Sequence, residues 1–572
     1  MALELDQTKA CGIFLALALA ACAPAPAPVD LVLRGGTVVD GSGEPGYVGD
    51  VAIVGERIVA VGELGAVEAT QEIDANGLVV APGFINMLSW ATVSLLEDPR
   101  GQSDIRQGVT LEVFGEGWSM GPLNDAMKRE TVERQGEIKF DIEWTTLGEY
   151  LQYLEARGVG PNVASFIGAT TVRIHELGYE NRAATEEELG RMRSLVRHAM
   201  EEGALGVGSS LIYAPANYAD TAELEALVEE AASGGGLYIS HIRSEGEDLL
   251  GALDELIGIA RRTGAKAEVY HFKASRPENW DKLEPAIAKI EAARADGLSV
   301  AANMYTYPAS STGLDAPMPT WVQEGGHDAW VERLRDPEIR ARLRDELDLL
   351  PAEKMLLIDF RNPALKHLTG KTLAEVAAQR GSSPEDTVID LIIEDDSRVG
   401  TIYFSMSEDN VRRKVSLPWM SFGSDAGAPS AEGVFLQSST HPRAYGTFAR
   451  VLGRYVREEG ILSLEEAVRR LSAWPAERLG ISERGRLAPG YYADIAVFDP
   501  ERIVDRASFE QPHQYSEGVV HVFVNGTRVL AGGEPTGATP GKFVRGPGYR
   551  KPALGGESNR EPDNVEGDPL DE

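Results

Sequence analysis

The chain has 572 residues, 43% of them hydrophobic, enough for a large buried core and more than one small module needs. This composition excludes collagen-like, coiled-coil and wholly disordered chains. With 55 basic against 89 acidic residues the net charge is −34, a field that repels polyanions and speaks against a nucleic-acid partner.

Residues 12–21 (GIFLALALAA) are too few to span a bilayer, which takes about 20 apolar residues, and read as the apolar region of a signal peptide. Leu19-Ala20-Ala21-Cys22 has the form of a bacterial lipobox, in which small residues admit a signal peptidase and the cysteine sulfur takes a diacylglycerol. An ordinary cleaved signal peptide is the alternative. Residues 1–22 are thus expected to be a lipoprotein signal peptide and residues 23–29, with their APAPAP run, a stiff linker. The expected product is an exported lipoprotein of the bacterial envelope, facing the periplasm or exterior and touching membrane only through lipid on Cys22. Cys11 and Cys22 are the only cysteines, so the body of the chain has no thiolate to offer and any metal must be held by His and carboxylate.

From residue 30 to 80 short β-rich runs alternate with turn signals, and the same pattern returns over 481–545. The two stretches are expected to form one small β-sandwich domain from both chain ends. Between them, over 81–480, apolar strands alternate with amphipathic helices. Strand-like runs at 78–88, 109–115, 163–168, 204–209, 236–240, 267–271, 300–305 and 420–424 make eight candidates, which favours an α/β fold of the (β/α)8 TIM-like barrel type over an open sheet. Thr185 with Glu188, Asp220 with Glu223, and Ser463 with Glu466 have capping-box spacing and mark helix starts. Residues 310–420 form a long insertion expected to lie over the carboxyl-terminal face of the barrel, as a lid or specificity element. Residues 546–572 turn to Gly, Pro, Glu, Asp and Asn and are expected to be a disordered acidic tail.

Of nine histidines, His198, His327, His367 and His513 lie in charged or polar stretches and read as surface or hydrogen-bonding residues, and His521 falls in the β-domain. His175 follows a strand-like run and stays ambiguous. His241 closes the run LYIS and His271 closes AEVY thirty residues later, the length of one βα repeat. Consecutive strand ends meet at one face of a barrel, so the two imidazoles converge. Glu116, in Phe114-Gly115-Glu116-Gly117, ends another strand; it reads either as a turn carboxylate or as the third member of a His2Glu set. Such a set suits zinc and leaves a position for water. Asp425, after SFGS, puts a carboxylate at the last strand end, where it can act as general base.

These residues resemble the amidohydrolase superfamily and, within it, the N-acyl-D-amino-acid deacylases (D-aminoacylases), from residue 30 to about 549. The resemblance is carried by residues 31–43, APGFI at 81–85, ISHIRSEG at 239–246, HFK at 271–273, 305–311 with Pro319-Thr320-Trp321, GSD at 423–425 and HPR at 441–443. PAERLG at 475–480, GRL at 485–487 and GYYAD at 490–494 add to it. It implies a zinc-dependent hydrolase with a barrel and an accompanying β-sandwich, the metal on His241 and His271, and Asp425 as general base. It further implies that Arg443, with Tyr213, Tyr305 and Ser311, binds a substrate carboxylate, for which guanidinium offers a rigid fork of donors; a structural salt bridge is the alternative for Arg443. Lys273, two residues past His271, is expected to contact the scissile carbonyl or a carboxylate.

Two departures from the family pattern stand out. The His-x-His that usually ends the first strand is Leu88 and Trp90 here, so a single zinc ion per chain is expected. Glu116 stands where D-aminoacylases have a Cys ligand, keeping the anionic charge on a harder donor. The fourth strand, ALGVGSSLIY, has no Lys to carboxylate into a metal bridge. The expected activity is hydrolysis of the amide bond of N-acyl-D-amino acids or similar small N-acyl carboxylates, with D-stereochemistry resting on the resemblance alone. Two rivals remain at this point: a dipeptidase or D-aminopeptidase in which Glu245 holds the substrate ammonium, and a non-catalytic cell-surface binding protein with a degenerate barrel site.

Overall fold

The computed structural model describes residues 29–551. The expected signal peptide, Cys22, nearly all of the linker and the tail beyond Lys551 lie outside the described residues. Among the described residues no helix is long and apolar enough to cross a membrane.

Eight parallel strands form the barrel: β1 (Phe84–Asn86), β2 (Val109–Phe114), β3 (Asn162–Ser165, resumed at Ile167–Gly168), β4 (Gly206–Ser210), β5 (Leu237–His241), β6 (Lys266–Val269), β7 (Val300–Met304) and β8 (Met420–Phe422). Neighbours pair in register from β1 to β8, and the ring closes where Met87 N donates to Phe422 O at 3.2 Å. Both faces of these strands are covered, which is why they read as unbroken apolar or small-residue runs rather than alternating ones.

Helices follow the strands and bury one stripe each. In Leu249–Thr263 the buried residues Leu249, Ala252, Leu253, Leu256, Ile259 and Ala260 recur at three- and four-residue spacing. Each leucine so buried is worth about 1.5–3 kcal/mol. Thr185 and Glu188 make the full reciprocal capping box. At Asp220 and Ser463 only the cap itself forms. Glu223 is drawn instead to the buried Arg173 at 2.5 Å, and Glu466 to Arg469 at 2.7 Å.

The β-domain draws Val29–Val38, Tyr47–Val54, Arg57–Gly62, Ala69–Asp74 and Val79–Pro82 from one chain end and four strands from the other, all in one hydrogen-bonded sheet. Its seam is the antiparallel pairing of Val79–Pro82 with Ile495–Phe498. Both faces are apolar: Leu31 and Leu33 pack with Ile53, Ile58 and Ile495, whereas Val32 points the other way onto Ala52.

Between β7 and β8 the insertion builds a three-stranded antiparallel sheet (Ser310–Gly313, Met355–Asp359, Gly400–Tyr403) with its own core of Leu314, Leu343, Leu357, Leu373, Val388 and Ile392. At the other end the expected tail boundary at 546 falls too early. Gly546 N donates to Gly203 O at 2.8 Å and Arg550 N to Glu201 O at 3.0 Å, so the chain stays seated on the helix Glu186–Glu202 through Arg550.

Candidate active site

Four strand ends deliver polar side chains to one point. Glu116 lies two residues past β2, between glycines at φ 105° and 72°. A Cβ on Gly115 would stand 2.3 Å from Phe166 O and one on Gly117 2.0 Å from Ser210 Oγ, so only glycine permits the tight turn that aims Glu116 inward. His241 ends β5 and His271 lies two residues past β6. His271 has φ 33° and Asp425, beyond β8, has φ 50°, left-handed backbone that costs a non-glycine residue about 1–3 kcal/mol. Asn303 Oδ1 accepts from His271 N and Leu88 O from Asp425 N, each at 2.8 Å, and these bonds hold both residues in place.

Glu116 Oε1 lies 2.9 Å from His241 Nδ1 and 2.8 Å from His271 Nε2, with all three side chains buried. One donor atom from each lies within 4.8 Å of the others, and among the described residues this is the one His, Cys, Asp and Glu group so placed. Burial works against the Glu116 charge, but His271 and His241 outweigh it and hold the carboxyl well below its usual range. Burial and the Lys273 ammonium push His271 down; the carboxylates of Glu116 and Glu245 prevail and raise it to about 9. The cluster therefore draws positive charge to its centre. His241 Nε2 is buried without a hydrogen-bond partner, 3.6 Å from Glu245 Oε1. One carboxylate oxygen and two imidazoles, one of which keeps an unspent ring nitrogen, fit a zinc ion, which takes N and O donors at about 2.0–2.2 Å.

Asp425 connects this donor set to Arg443. Its Oδ1 accepts from Trp90 Nε1 at 3.2 Å, the same indole N–H that reaches Glu116 Oε2 at 3.0 Å. Its Oδ2 lies 2.6 Å from Arg443 Nη1. Arg443 Nη1 and Nε are buried without an aligned hydrogen bond, while Nη2 donates to Ser311 O at 3.3 Å. Burial raises the Asp425 carboxyl above its ordinary range; Arg443 opposes this and Glu116 adds to it. The guanidinium lies 4.6 Å from the centre of the Tyr305 ring, a cation–π stack that fixes its plane.

These groups line a cavity of about 580 Å³, to which the insertion contributes Ser311, Leu350, Arg398 and Tyr403. Tyr213 also lines it, with its ring 5.3 Å from that of His241 and its hydroxyl bonded to Thr312 Oγ1 at 2.9 Å. Lys273 reaches the cavity wall, but its ammonium is paired with the Glu245 carboxylate, whose Oε1 also lies 3.0 Å from His271 Nδ1. Glu245 is thereby committed as well, so the ammonium-holding role considered for it has no free carboxylate.

Of the other histidines, His175 lies within the helix Ala169–Leu177 and bonds Glu176 rather than ending a strand at the site. His441 carries a role that the sequence reading did not assign. Its Nδ1 accepts from Arg443 N at 2.9 Å and its Nε2 donates to Ala309 O at 3.0 Å. Burial and the adjacent guanidinium hold it well below the usual histidine range, so it stays neutral and can accept that bond. The adjacency in His441-Pro442-Arg443 was the available signal. The indole bridge of Trp90 had none.

A family model described as "Amidohydrolase family" matches residues 71–530. The chain belongs to the amidohydrolase family, and its His2Glu centre makes it a zinc-dependent hydrolase of amide bonds. Within that family it sits with the N-acyl-D-amino-acid deacylases. It is 35% identical over 518 residues to the N-acyl-D-glutamate deacylase of Alcaligenes xylosoxydans xylosoxydans, covering 90% of this chain and 96% of that protein. Among solved structures it is similar to N-acyl-D-glutamate deacylase from Bordetella bronchiseptica, complexed with zinc and a phosphonate mimic of the tetrahedral intermediate (33% identity, TM-score 0.76, 91% of this chain and 100% of that one). A D-aminoacylase with a binuclear metal centre, described by one-metal activation and second-metal attenuation, matches at 33% identity and TM-score 0.77, over 91% of this chain and 100% of that one.

Proposed function

We propose that the protein hydrolyses the amide bond of N-acyl-D-amino acids that carry a free α-carboxylate, with Asp425 as general base and Arg443 as the carboxylate anchor. The observation that carries this reading is the position of Asp425, one oxygen toward the zinc-binding cluster through Trp90 and the other against a buried guanidinium with unspent donors.

Glu116, His241 and His271 would hold the zinc, which would supply Lewis acidity to the scissile carbonyl and to the attacking water. The remaining work belongs to side chains of the chain. The Arg443 guanidinium, whose Nη1 faces Asp425, binds the α-carboxylate through its remaining donors, and Tyr305 beneath it and Ser311 beside it define that end of the pocket. This fixes the carbonyl carbon against the attacking water and replaces a bimolecular encounter by a positioned one. Asp425 takes the water proton as the new C–O bond forms and returns it to the amide nitrogen as the C–N bond breaks, releasing a carboxylate and the D-amino acid. Glu245, held by Lys273, acts from behind His271, its Oε1 accepting from Nδ1 at 3.0 Å and fixing the ring.

A dipeptidase reading would need an anionic group for the substrate ammonium, and Glu245 is already neutralised by Lys273. The test is a hydrolysis screen of paired N-acetyl-D-amino acids, N-acetyl-L-amino acids and free-amine dipeptides with zinc supplied and then chelated. We expect cleavage of the D-series, lost on chelation. Cleavage of the dipeptides alone, or activity that survives chelation, would overturn the reading.

A further inference from the structure

Both tryptophans at the reaction centre are unusually open for their size, Trp90 and Trp118 each being 39% exposed. They form a wall of three cavities. One is the 580 Å³ cavity of the metal cluster; a second, of about 320 Å³, is lined by Met120, Leu123, Met127 and Ile174; a third, of about 480 Å³, is lined by charged side chains, Asp315, Arg361, Asp396 and Arg398 among them. Leu123, Met127 and Ile174 are themselves buried, so this second cavity is a recess in the protein rather than an apolar patch on its surface. The charged groups on its wall have partners: Tyr179 Oη donates to both Glu130 oxygens at 3.0 and 2.9 Å, and Arg134 lies 3.8 Å from Glu130 Oε1 through Nε and bonds Asp328 through Nη2. The hydroxyls of Ser119, Thr131 and Thr171 donate to backbone carbonyls, so an entering group meets mainly carbon, aromatic rings and thioethers.

The direction of the recess follows from the two ends of Asp425. Arg443 approaches Asp425 Oδ2 and Trp90 approaches Oδ1, so the carboxylate anchor and the tryptophan gate flank the base from different sides. A substrate whose α-carboxylate is held by Arg443 and whose carbonyl faces the metal cluster must send its acyl group away from the anchor, toward Trp90 and Trp118. We infer that the recess behind Trp90 and Trp118 binds the acyl tail, and that the preferred substrates carry medium- to long-chain apolar acyl groups rather than acetyl. This rests on the deacylase reading above and specifies its substrate class. In this chain Trp90 takes a position where family members usually have a histidine, so the side chain that removes a metal ligand also supplies the aromatic gate.

The test uses the zinc-loaded enzyme and one D-amino acid bearing acetyl, hexanoyl, octanoyl or decanoyl groups. We expect kcat/KM to rise with chain length, by up to about fourfold for each methylene buried, until the recess is full. A flat or falling profile with acetyl cleaved would overturn the inference and leave the deacylase reading standing, whereas cleavage of none of the series would remove both. Met127→Trp, which fills the recess, is expected to lower the decanoyl-to-acetyl ratio of kcat/KM by about tenfold or more. An unchanged ratio in the folded variant would place the tail elsewhere and overturn the inference, and should the variant not fold, the wild-type series decides alone.

Discussion

The end of β1 and the ends of β5 and β6 occupy equivalent places on the same barrel face, yet they do different chemistry. At β5 and β6 the residues that arrive are His241 and His271, buried and 2.8–2.9 Å from Glu116 Oε1. Past β1 the residues are Leu88, buried against its neighbours, and Trp90, whose indole N–H bridges Glu116 and Asp425. A barrel decides where a side chain arrives, and residue identity decides whether a cation or a neutral donor stands there. Trp90 gives the two carboxylates a shared hydrogen bond without charge, which leaves the His2Glu set as a one-ion centre.

On that contrast, removing the base proposed at Asp425 carries the largest expected cost. Asp425→Asn keeps the shape and a similar hydrogen-bonding edge but cannot take a proton, so kcat should fall about 10²–10⁴-fold while the zinc content of the protein is unchanged. Loss of zinc in the same variant would mean that Asp425 is a ligand and that the β8 end belongs with β5 and β6. Arg443→Lys should cost less. It keeps the charge and loses the planar fork, so KM should rise about tenfold, with a smaller change in kcat; a fall in kcat at constant KM would contradict the carboxylate-anchor assignment.

Much of this was legible in the sequence for physical reasons. Barrel strands are buried on both faces and announce themselves as apolar runs at βα spacing, and His241 and His271 stand at two such run ends one repeat apart. Glu116 was legible as a ligand only beside the two histidines, because its flanking glycines alone fit a turn carboxylate equally well. What could not be read was any relation between loops. That Lys273 and Glu245 neutralise each other behind His271, that neutral His441 sets the backbone of Arg443, and that Trp90 spans two carboxylates all depend on side-chain directions across strands far apart in sequence. The capping box at Asp220 failed for the same reason, since Glu223 pairs with the distant Arg173, whereas at Ser463 the competitor was local: Glu466 pairs with Arg469 one turn along its own helix.

The most direct test of the one-ion account is zinc-edge anomalous diffraction on the metal-loaded protein, with zinc content measured on the same sample. The account predicts about one zinc per chain, within bonding distance of Glu116, His241 and His271 and with Trp90 outside the coordination sphere. A second ion beside Trp90, or a triad whose side chains turn away from a vacant centre, would contradict it.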